Sequence, residues 1–267
     1  MPGGLKVNII KFGGSVITEE SGEDHFNAIN TMRLAGELYP FRRGCIIVHG
    51  TGHVGKPPAI RYGYVQSGTL PPEERLIALT IKDRLRLLNG HLVRTLQSAS
   101  IPALGMDIMS YYDELADRRV QNGFIRTLGE LIDRQQVPVF YGDMICRPDG
   151  SFKVVSSDFI ALVLARILRP ENVIFLTDVP GVYQEKGTGD DQKDKKIIPL
   201  LTPANIDSME RTINDGADVS GGMRKKAEIA LEISRYCARC FIGSGYQDHV
   251  LGDFLSMRPV MGTFVKV

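Results

Sequence analysis

Short apolar runs rich in valine and isoleucine alternate along the chain with longer segments in which apolar residues recur every three or four positions. The short runs are typical of strands buried on both faces, and the longer segments are typical of amphipathic helices. Because such strands alternate with helices, the pattern predicts an α/β fold with a largely parallel sheet and helices on both faces. The predicted strands cover residues 7–12, 45–48, 101–104, 137–141, 173–177 and 240–242, and the predicted helices cover 25–38, 73–98, 123–135, 156–168 and 221–236.

Three segments interrupt this alternation. Residues 63–74 contain two adjacent prolines and two glycines, which predict an exposed loop. Residues 145–155 place Pro-Asp-Gly between two apolar arms, which predicts a hairpin, and the polar residues 184–196 predict a solvated loop. No linker divides the sequence cleanly. A soft boundary near residues 169–170 predicts two lobes, 1–170 and 171–267, that share one sheet.

The composition is that of an ordinary soluble protein. The chain has 32 basic and 31 acidic residues and a net charge of +1, which argues against bulk binding of nucleic acid or of an acidic membrane. Its longest apolar stretches are far shorter than the ~20 residues that span a bilayer. The N-terminus carries no signal-peptide pattern, so we expect a cytoplasmic protein.

Two of the four cysteines, Cys237 and Cys240, have the spacing of a metal or redox pair. A tetrahedral zinc site needs two further ligands, and no second pair accompanies these two. We therefore predict reduced thiols near a helix end and no metal site.

Two glycine-rich segments each follow a predicted strand. In the first, Lys11 ends the strand and residues 13–15 (Gly-Gly-Ser) permit a tight turn; in the second, residues 49–52 (His-Gly-Thr-Gly) lead towards Lys56. Exposed backbone amides at such turns favour phosphate, although a plain strand–turn–helix junction also explains the first segment. The first segment is not a Walker-type loop, in which the lysine follows the glycines. Because neighbouring parallel strands end at one crevice, the two segments predict facing sites for a phosphate donor and an anionic acceptor.

Two predicted helix starts carry charged residues. Asp158 falls in the first turn of the helix at 156–168, where it either complements the helix dipole or holds two lysines in place. Lys225 and Lys226 lie within the first two turns of a helix that begins after Ser220. Lysines are electrostatically unfavourable at a helix start, so these two either project into solvent or meet an anion.

Five motifs follow one another along nearly the whole chain: KFGGS at 11–15, HGTG at 49–52, VPVFYGD at 137–143, VIFLTDVPGVY at 173–183 and DVSGGMRKK at 218–226. In this order they resemble the motifs of the amino acid kinase superfamily. The closest resemblance is to the isopentenyl phosphate kinase branch, with fosfomycin kinase as a near relative. The resemblance implies a three-layer αβα sandwich with an open, mostly parallel sheet, a homodimer, and Mg²⁺- and ATP-dependent phosphoryl transfer to a small phosphate, phosphonate or carboxylate.

The resemblance also implies roles for individual residues. Lys11 and Lys226 match two lysines that lie along the transferring phosphoryl group, and Asp158 matches the carboxylate that orients them, so these three are the predicted catalytic residues. The residues predicted to bind the nucleotide are Gly13, Gly14, Ser15, Gly52, Thr177, Asp178, Tyr183 and Gly222. Those predicted to bind the acceptor are Gly50, Thr51, Lys56, Gly142 and Asp143.

Two positions depart from this branch. Its members end the second glycine-rich loop with histidine, where this chain has Lys56, and they carry a second lysine where this chain has Glu20. Lysine keeps its charge near pH 7, whereas histidine exchanges a proton there, so Lys56 favours binding an anion. His53 either occupies similar space or is a neutral structural residue. Two unit charges ~4 Å apart interact by about 4 kcal/mol at an effective dielectric of ~20, so Glu20 cannot face a triphosphate without a cation between them.

These departures leave the acceptor open. Isopentenyl phosphate, a phosphonate of the fosfomycin type and another secondary metabolite all fit a kinase of this fold. Glu20 and Lys56 also keep open a protein of a different class, which binds a nucleotide or oxyanion without catalysis. A Rossmann dehydrogenase is excluded because no Gly-x-Gly-x-x-Gly follows the first strand.

Overall fold

The computed structural model describes residues 6–20, 25–63, 68–107, 118–184, 196–209 and 222–267. The strands are β1 (Asn8–Phe12), β2 (Cys45–His49), β3 (Thr69–Leu70), β4 (Ala103–Gly105), β5 (Val137–Tyr141), β6 (Asp143–Cys146), β7 (Phe152–Val155), β8 (Asn172–Thr177), β9 (Leu200–Leu201), β10 (Arg239–Ser244) and β11 (Thr263–Val265). The helices are α1 (Gly14–Ile17), α2 (Ala28–Leu38), α3 (Gly52–Arg61), α4 (Arg75–Ser98), α5 (Arg118–Asp133), α6 (Ser157–Leu168), α7 (Gly222–Ser234) and α8 (Val250–Leu255).

Eight of these strands form one open sheet in the order β4-β5-β2-β1-β8-β10-β11-β9. Neighbours from β4 to β10 pair in parallel, whereas β11 pairs antiparallel with β10 and parallel with β9. The predicted mostly parallel sheet is therefore confirmed. All six predicted strands occur, and β9 and β11 are additions at one edge that are too short to show a periodic pattern.

Two apolar layers lie on opposite faces of this sheet. Along β1, Ile10 and Phe12 pack into one layer, while Ile9 between them packs into the other, as the two-residue period of a strand requires. Helices α2, α4 and α8 cover the first face, and α5, α6 and α7 cover the second. The predicted three-layer αβα sandwich is confirmed.

The order of the central strands creates a crevice at one edge of the sheet. β1 pairs with β2 on one side and with β8 on the other, and Phe12 at its carboxyl end stands level with His49 and Leu176. The chain thus leaves β1, β2 and β8 at one point, where the strand order reverses. Open α/β sheets bind their ligands at such a point.

A small antiparallel sheet, β3-β7-β6, flanks this crevice. The predicted hairpin is confirmed: β6 and β7 pair around a turn in which the Asp149 carboxylate accepts from the Ser151 amide at 2.9 Å and Gly150 has φ +81°. The prediction of an exposed loop over 63–74 is partly wrong. Residues 69–70 pair with β7 and Leu70 is fully buried, while 64–67 lie outside the described residues.

The helix boundaries follow local caps. Asn27 accepts from the Asn30 amide at 3.0 Å, so the helix predicted from residue 25 begins at Ala28. The helix predicted from residue 123 begins earlier, at Arg118. The prediction missed its first turn because that turn is mostly polar and carries no apolar period. Of the predicted loop at 184–196, residues 185–195 lie outside the described part of the chain.

The division into lobes 1–170 and 171–267 stays a prediction. The sheet continues from β1 to β8 across the predicted boundary. Within the described ranges, no helix combines the length and the apolar character needed to cross a membrane.

Candidate active site

Three charged side chains from distant parts of the chain meet at the crevice. The Lys11 ammonium lies 2.8 Å from Oδ1 of Asp158 as an ion pair, and the Lys226 ammonium donates to Oδ2 at 2.9 Å. Only 5% of the Lys11 side chain, 9% of Asp158 and 14% of Lys226 are exposed. The structure therefore brings together the three residues that the sequence analysis grouped as catalytic.

Each member of this cluster is held by a regular element. Lys11 lies on β1 between Val48 and Phe175 of the neighbouring strands, which fixes the direction of its side chain. The Ser156 hydroxyl accepts from the Phe159 amide and caps α6, so Asp158 stands in the first turn as predicted. Lys226 lies on α7, which packs against α6.

The charges of the cluster shift one another's protonation. Burial alone would raise the pKa of Asp158, but the nearby charges of Lys11 and Lys226 hold it well below its ordinary value. Burial lowers the pKa of Lys11 to about 8, although the Asp158 carboxylate acts in the opposite direction and raises this pKa. Near pH 7 the cluster therefore consists of one carboxylate and two ammonium groups and carries a net positive charge.

The two glycine-rich segments touch each other beside this cluster. A Cβ on Gly14 would lie 2.1 Å from the backbone nitrogen of Gly52, and one on Gly50 would lie 2.6 Å from that of Gly14. The Thr18 hydroxyl ties the segments together, since it donates to the Gly14 carbonyl at 2.7 Å and accepts from the His53 amide at 3.0 Å. Such close backbone packing leaves the amides of both segments at one place, which suits the phosphates of a nucleotide.

The predicted nucleotide-binding residues lie at the ends of β1, β8 and α7. Thr177 is buried and donates to the Val179 carbonyl at 2.8 Å, whereas Asp178 is exposed. Gly222 begins α7 with φ +64°, and Tyr183 is half-buried. The amide of Gly13 donates to the carbonyl of Leu176 at 2.8 Å, which joins the first glycine segment to the end of β8.

Tyr246 was missed in the sequence analysis. Its phenol donates to the Ser15 carbonyl at 2.7 Å, so it closes over the first glycine segment. Nothing local marks this residue, because the loop that carries it follows β10 and meets Ser15 only through the fold.

The predicted acceptor-binding residues follow β2 and β5, which lie on the other side of β1 from β8. The Gly142 amide donates to the His49 carbonyl at 3.1 Å, and a Cβ on Gly142 would lie 3.4 Å from Cγ2 of Thr51. Asp143 is the next residue and forms an ion pair with Lys82. Lys82 is a second residue that the sequence analysis missed. Lys56 lies on α3, but its side chain is outside the part that the structure describes.

Some residues singled out in the sequence lie apart from the cluster. Glu20 and Lys225 are exposed. Of the two adjacent lysines of α7, Lys225 therefore faces solvent, whereas Lys226 faces Asp158. The ring of His53 lies 6.3 Å from that of His25. Ser220 lies outside the described residues.

No group of three or more His, Cys, Asp or Glu side chains suited to a metal occurs within the described ranges. Mg²⁺ needs no such group, because it binds one or two carboxylates together with substrate phosphates and water. Asp158 does not fit as its ligand, since both oxygens face ammonium groups. Cys237 and Cys240 are free thiols, near a helix end as predicted; Cys237 lies between α7 and β10, and Cys240 lies in β10.

Comparison with known proteins places this arrangement among kinases. The family described as "Amino acid kinase family" matches residues 6–244. Isopentenyl phosphate kinase of Methanothermobacter thermautotrophicus is 32% identical over 226 residues, which cover 80% of this chain and 82% of the relative. Isopentenyl phosphate kinase of Arabidopsis thaliana is 30% identical over 243 residues, 83% of this chain and 72% of the relative. An X-ray structure of isopentenyl phosphate kinase superposes with a TM-score of 0.71 at 25% identity, covering 97% of this chain and 99% of that one.

We expect Gly14→Ala to destabilise the protein by about 1–3 kcal/mol, because the new methyl group would overlap the backbone of Gly52. Gly36→Ala is the matched control: a Cβ there meets nothing within 4 Å, and alanine stabilises a helix interior by roughly 0.5–1 kcal/mol. Urea unfolding of both variants checks this. Equal midpoints would contradict the close contact of the two segments.

We expect Asp158→Asn to cost about 3–5 kcal/mol at pH 7, because two buried ammonium groups lose their carboxylate. The Asp158 carboxylate raises the Lys11 pKa, so in the variant this pKa falls below about 8 and Lys11 loses its proton at a lower pH. The loss should therefore shrink as the pH rises towards about 8 and stay constant above it. Asp207→Asn removes an exposed ion pair with Arg224 and should cost at most about 1 kcal/mol. Denaturant unfolding from pH 5 to 9 measures both; a loss for Asp158→Asn that does not vary with pH below about 8 would contradict the charge assignment.

Proposed function

Because this chain belongs to the amino acid kinase family and is an ATP-dependent kinase, we propose that Lys11, Lys226 and Asp158 carry the transfer of the γ-phosphoryl group of ATP to a small anionic acceptor. The observation that supports these roles most strongly is the bridging of two buried ammonium groups by one carboxylate at the crevice. The relatives are named for isopentenyl phosphate, and we propose an acceptor that carries a phosphate, a phosphonate or a carboxylate.

The two ammonium groups supply the electrostatic part of this reaction. Phosphoryl transfer spreads charge over the oxygens of the migrating group, so it is accelerated mainly by positioning and by fixed positive charge. Lys11 and Lys226 approach Asp158 from two sides, and the backbones of Gly14 and Gly52 meet in the glycine segments that follow β1 and β2. When bound, Mg²⁺ would neutralise charge on the nucleotide phosphates.

Asp158 acts as a positioning residue in this proposal. Its pKa lies well below the ordinary value and both of its oxygens face lysines, so it is a poor proton acceptor. The acceptor needs no base, because a phosphate monoester with a second pKa of about 6 already presents an ionised oxygen at pH 7. The carboxylate instead holds the ammonium groups of Lys11 and Lys226 close together, although their like charges repel each other.

The two sides of the crevice receive different substrates in this proposal. Residues 171–267, with Thr177, Asp178, Tyr183 and Gly222, bind ATP together with the first glycine segment. Residues 1–170 bind the acceptor through Gly50, Thr51, Lys56, Gly142 and Asp143. We also propose, from the resemblance in sequence, that the enzyme uses Mg²⁺ and works as a cytoplasmic homodimer.

Replacing Lys11 or Lys226 with alanine should lower kcat by about 10²–10³-fold, because each removes a preorganised charge from the transition state. Lys225→Ala is the matched control, since this exposed lysine lies next to Lys226 on the same helix and should keep full activity. ADP release with Mg-ATP and a panel of phosphate, phosphonate and carboxylate acceptors measures the effect. Nucleotide binding without a phosphorylated product from any acceptor would instead support a non-catalytic binding protein.

The kcat/KM for ATP should fall as the pH rises above about 8, because the Lys11 ammonium loses its proton there and with it the charge that faces the phosphates. In Lys11→Arg the guanidinium stays charged, so the residual activity should lack this falling limb. Steady-state rates between pH 6 and 10 test this. A falling limb that persists unchanged in the arginine variant would assign it to another group.

A further inference from the structure

One face of α4 carries a polar row, defined as Lys82, Arg86 and Asn89. These residues lie four and three positions apart, so they share one side of the helix. The neighbouring positions Ile81 and Leu85 are buried in the core instead. The row faces the carboxyl edge of the sheet, where its members contact Asp143, Tyr141 and His49 respectively.

Lys82 is the most buried cation of the row. Its ammonium donates to Oδ2 of Asp143 and, at 2.7 Å, to the carbonyl of Met144. Asp143 is 1% exposed and Lys82 14% exposed, and Oδ1 of Asp143 has no hydrogen-bond partner among the described residues. An ammonium has three N–H donors, and these two contacts use two of them. The part of Lys82 that stays exposed is therefore a cation that two contacts hold in position.

The rings of Tyr141 and His49 add no charge to the row near pH 7; the acidic side chains near it are Asp143, which pairs with Lys82, and Asp107, which acts electrostatically on Tyr141 and Asp143. Burial raises the pKa of Tyr141 to about 12, and its phenol shares a hydrogen bond with the exposed Arg86. Burial lowers the pKa of His49 to about 4, so this ring, stacked on Tyr141 at 5.5 Å, is neutral. Lys82 and Arg86 are thus two cations one helical turn apart.

The row borders the acceptor side of the crevice. Asp143 directly follows Gly142, which packs between Thr51 and the amide of Ser157 at the start of α6. A molecule whose phosphorylated end lies at this loop and whose other end extends towards α4 therefore meets the row. A hydrocarbon tail there would strip water from charged groups without replacing their hydrogen bonds, which is unfavourable.

We propose that Lys82 and Arg86 bind an oxygen-bearing group, a hydroxyl or a carboxylate, at the end of the acceptor opposite to the group that is phosphorylated. This inference rests on the proposed function, and it makes the preferred acceptor polar at both ends, unlike isopentenyl phosphate. Asp143 is a positioning residue that holds Lys82.

The test compares acceptors that differ only at the tail. Butyl phosphate and isopentenyl phosphate end in hydrocarbon, whereas 4-hydroxybutyl phosphate and 3-carboxypropyl phosphate end in oxygen. We expect kcat/KM to be at least about 10-fold higher for an oxygen-bearing tail, the effect of one hydrogen bond to a charged group. The acceptor KM should carry the difference, with the KM for ATP unchanged.

Two variants identify the residues responsible. Arg86→Met should lower kcat/KM for the oxygen-bearing acceptors by about 10-fold and leave that for butyl phosphate unchanged. Lys82→Met combined with Asp143→Asn, which leaves no buried carboxylate unpaired, should lower by about 10-fold the ratio of kcat/KM for an oxygen-bearing acceptor to that for butyl phosphate. Arg84→Met is the matched control, because this exposed arginine of α4 lies outside the row.

The outcomes separate the two levels of the argument. Lys11-dependent transfer that favours oxygen-bearing tails, and loses that preference in both variants, supports the inference. Lys11-dependent transfer that favours hydrocarbon tails, or a preference that survives in both variants, overturns the inference and leaves the proposed function standing. Absence of transfer to every acceptor overturns the proposed function, and the inference with it.

Discussion

The bridge that Asp158 makes between Lys11 and Lys226 is the interaction on which the candidate active site depends. Burying one ammonium group beside another is unfavourable, and a single carboxylate compensates only one of the two charges. The cluster therefore keeps a net positive charge in a site with little water. In the proposed function, a polyanion such as the triphosphate of ATP completes this charge balance.

The order of the strands makes this bridge geometrically possible. β1 lies between β2 and β8, so the loops that leave all three strands converge, and α6 and α7 pack together on one face of the sheet. Lys11 comes from the first strand of the chain and Lys226 from its last long helix. The contact of Gly14 with Gly52 then brings the amides of two loops to the same point. Charge and backbone donors thus meet because of topology.

The helix α4 combines two functions on two faces. Leu85, Leu88 and Leu92 bury one face in the core, which fixes the helix against the sheet. Lys82 and Arg86 of the polar row lie on another face, beside Tyr141 and Asp143. A rigid helix holds these cations more firmly than a loop would. A solved isopentenyl phosphate kinase shares the fold of this chain, and in our proposal this wall sets the acceptor preference.

The sequence by itself determined the sheet, the long helices and the glycine segments, because apolar period, helix caps and turn chemistry act over a few residues. It also supplied Lys11, Asp158 and Lys226 as candidates, through motifs whose order is readable along the chain. It left open whether Asp158 served the helix dipole or the lysines, and it missed Lys82, Tyr246 and the pairing of residues 69–70 with β7. Those contacts join residues far apart in the chain, and only the tertiary structure decides them because no local pattern records which distant groups will meet.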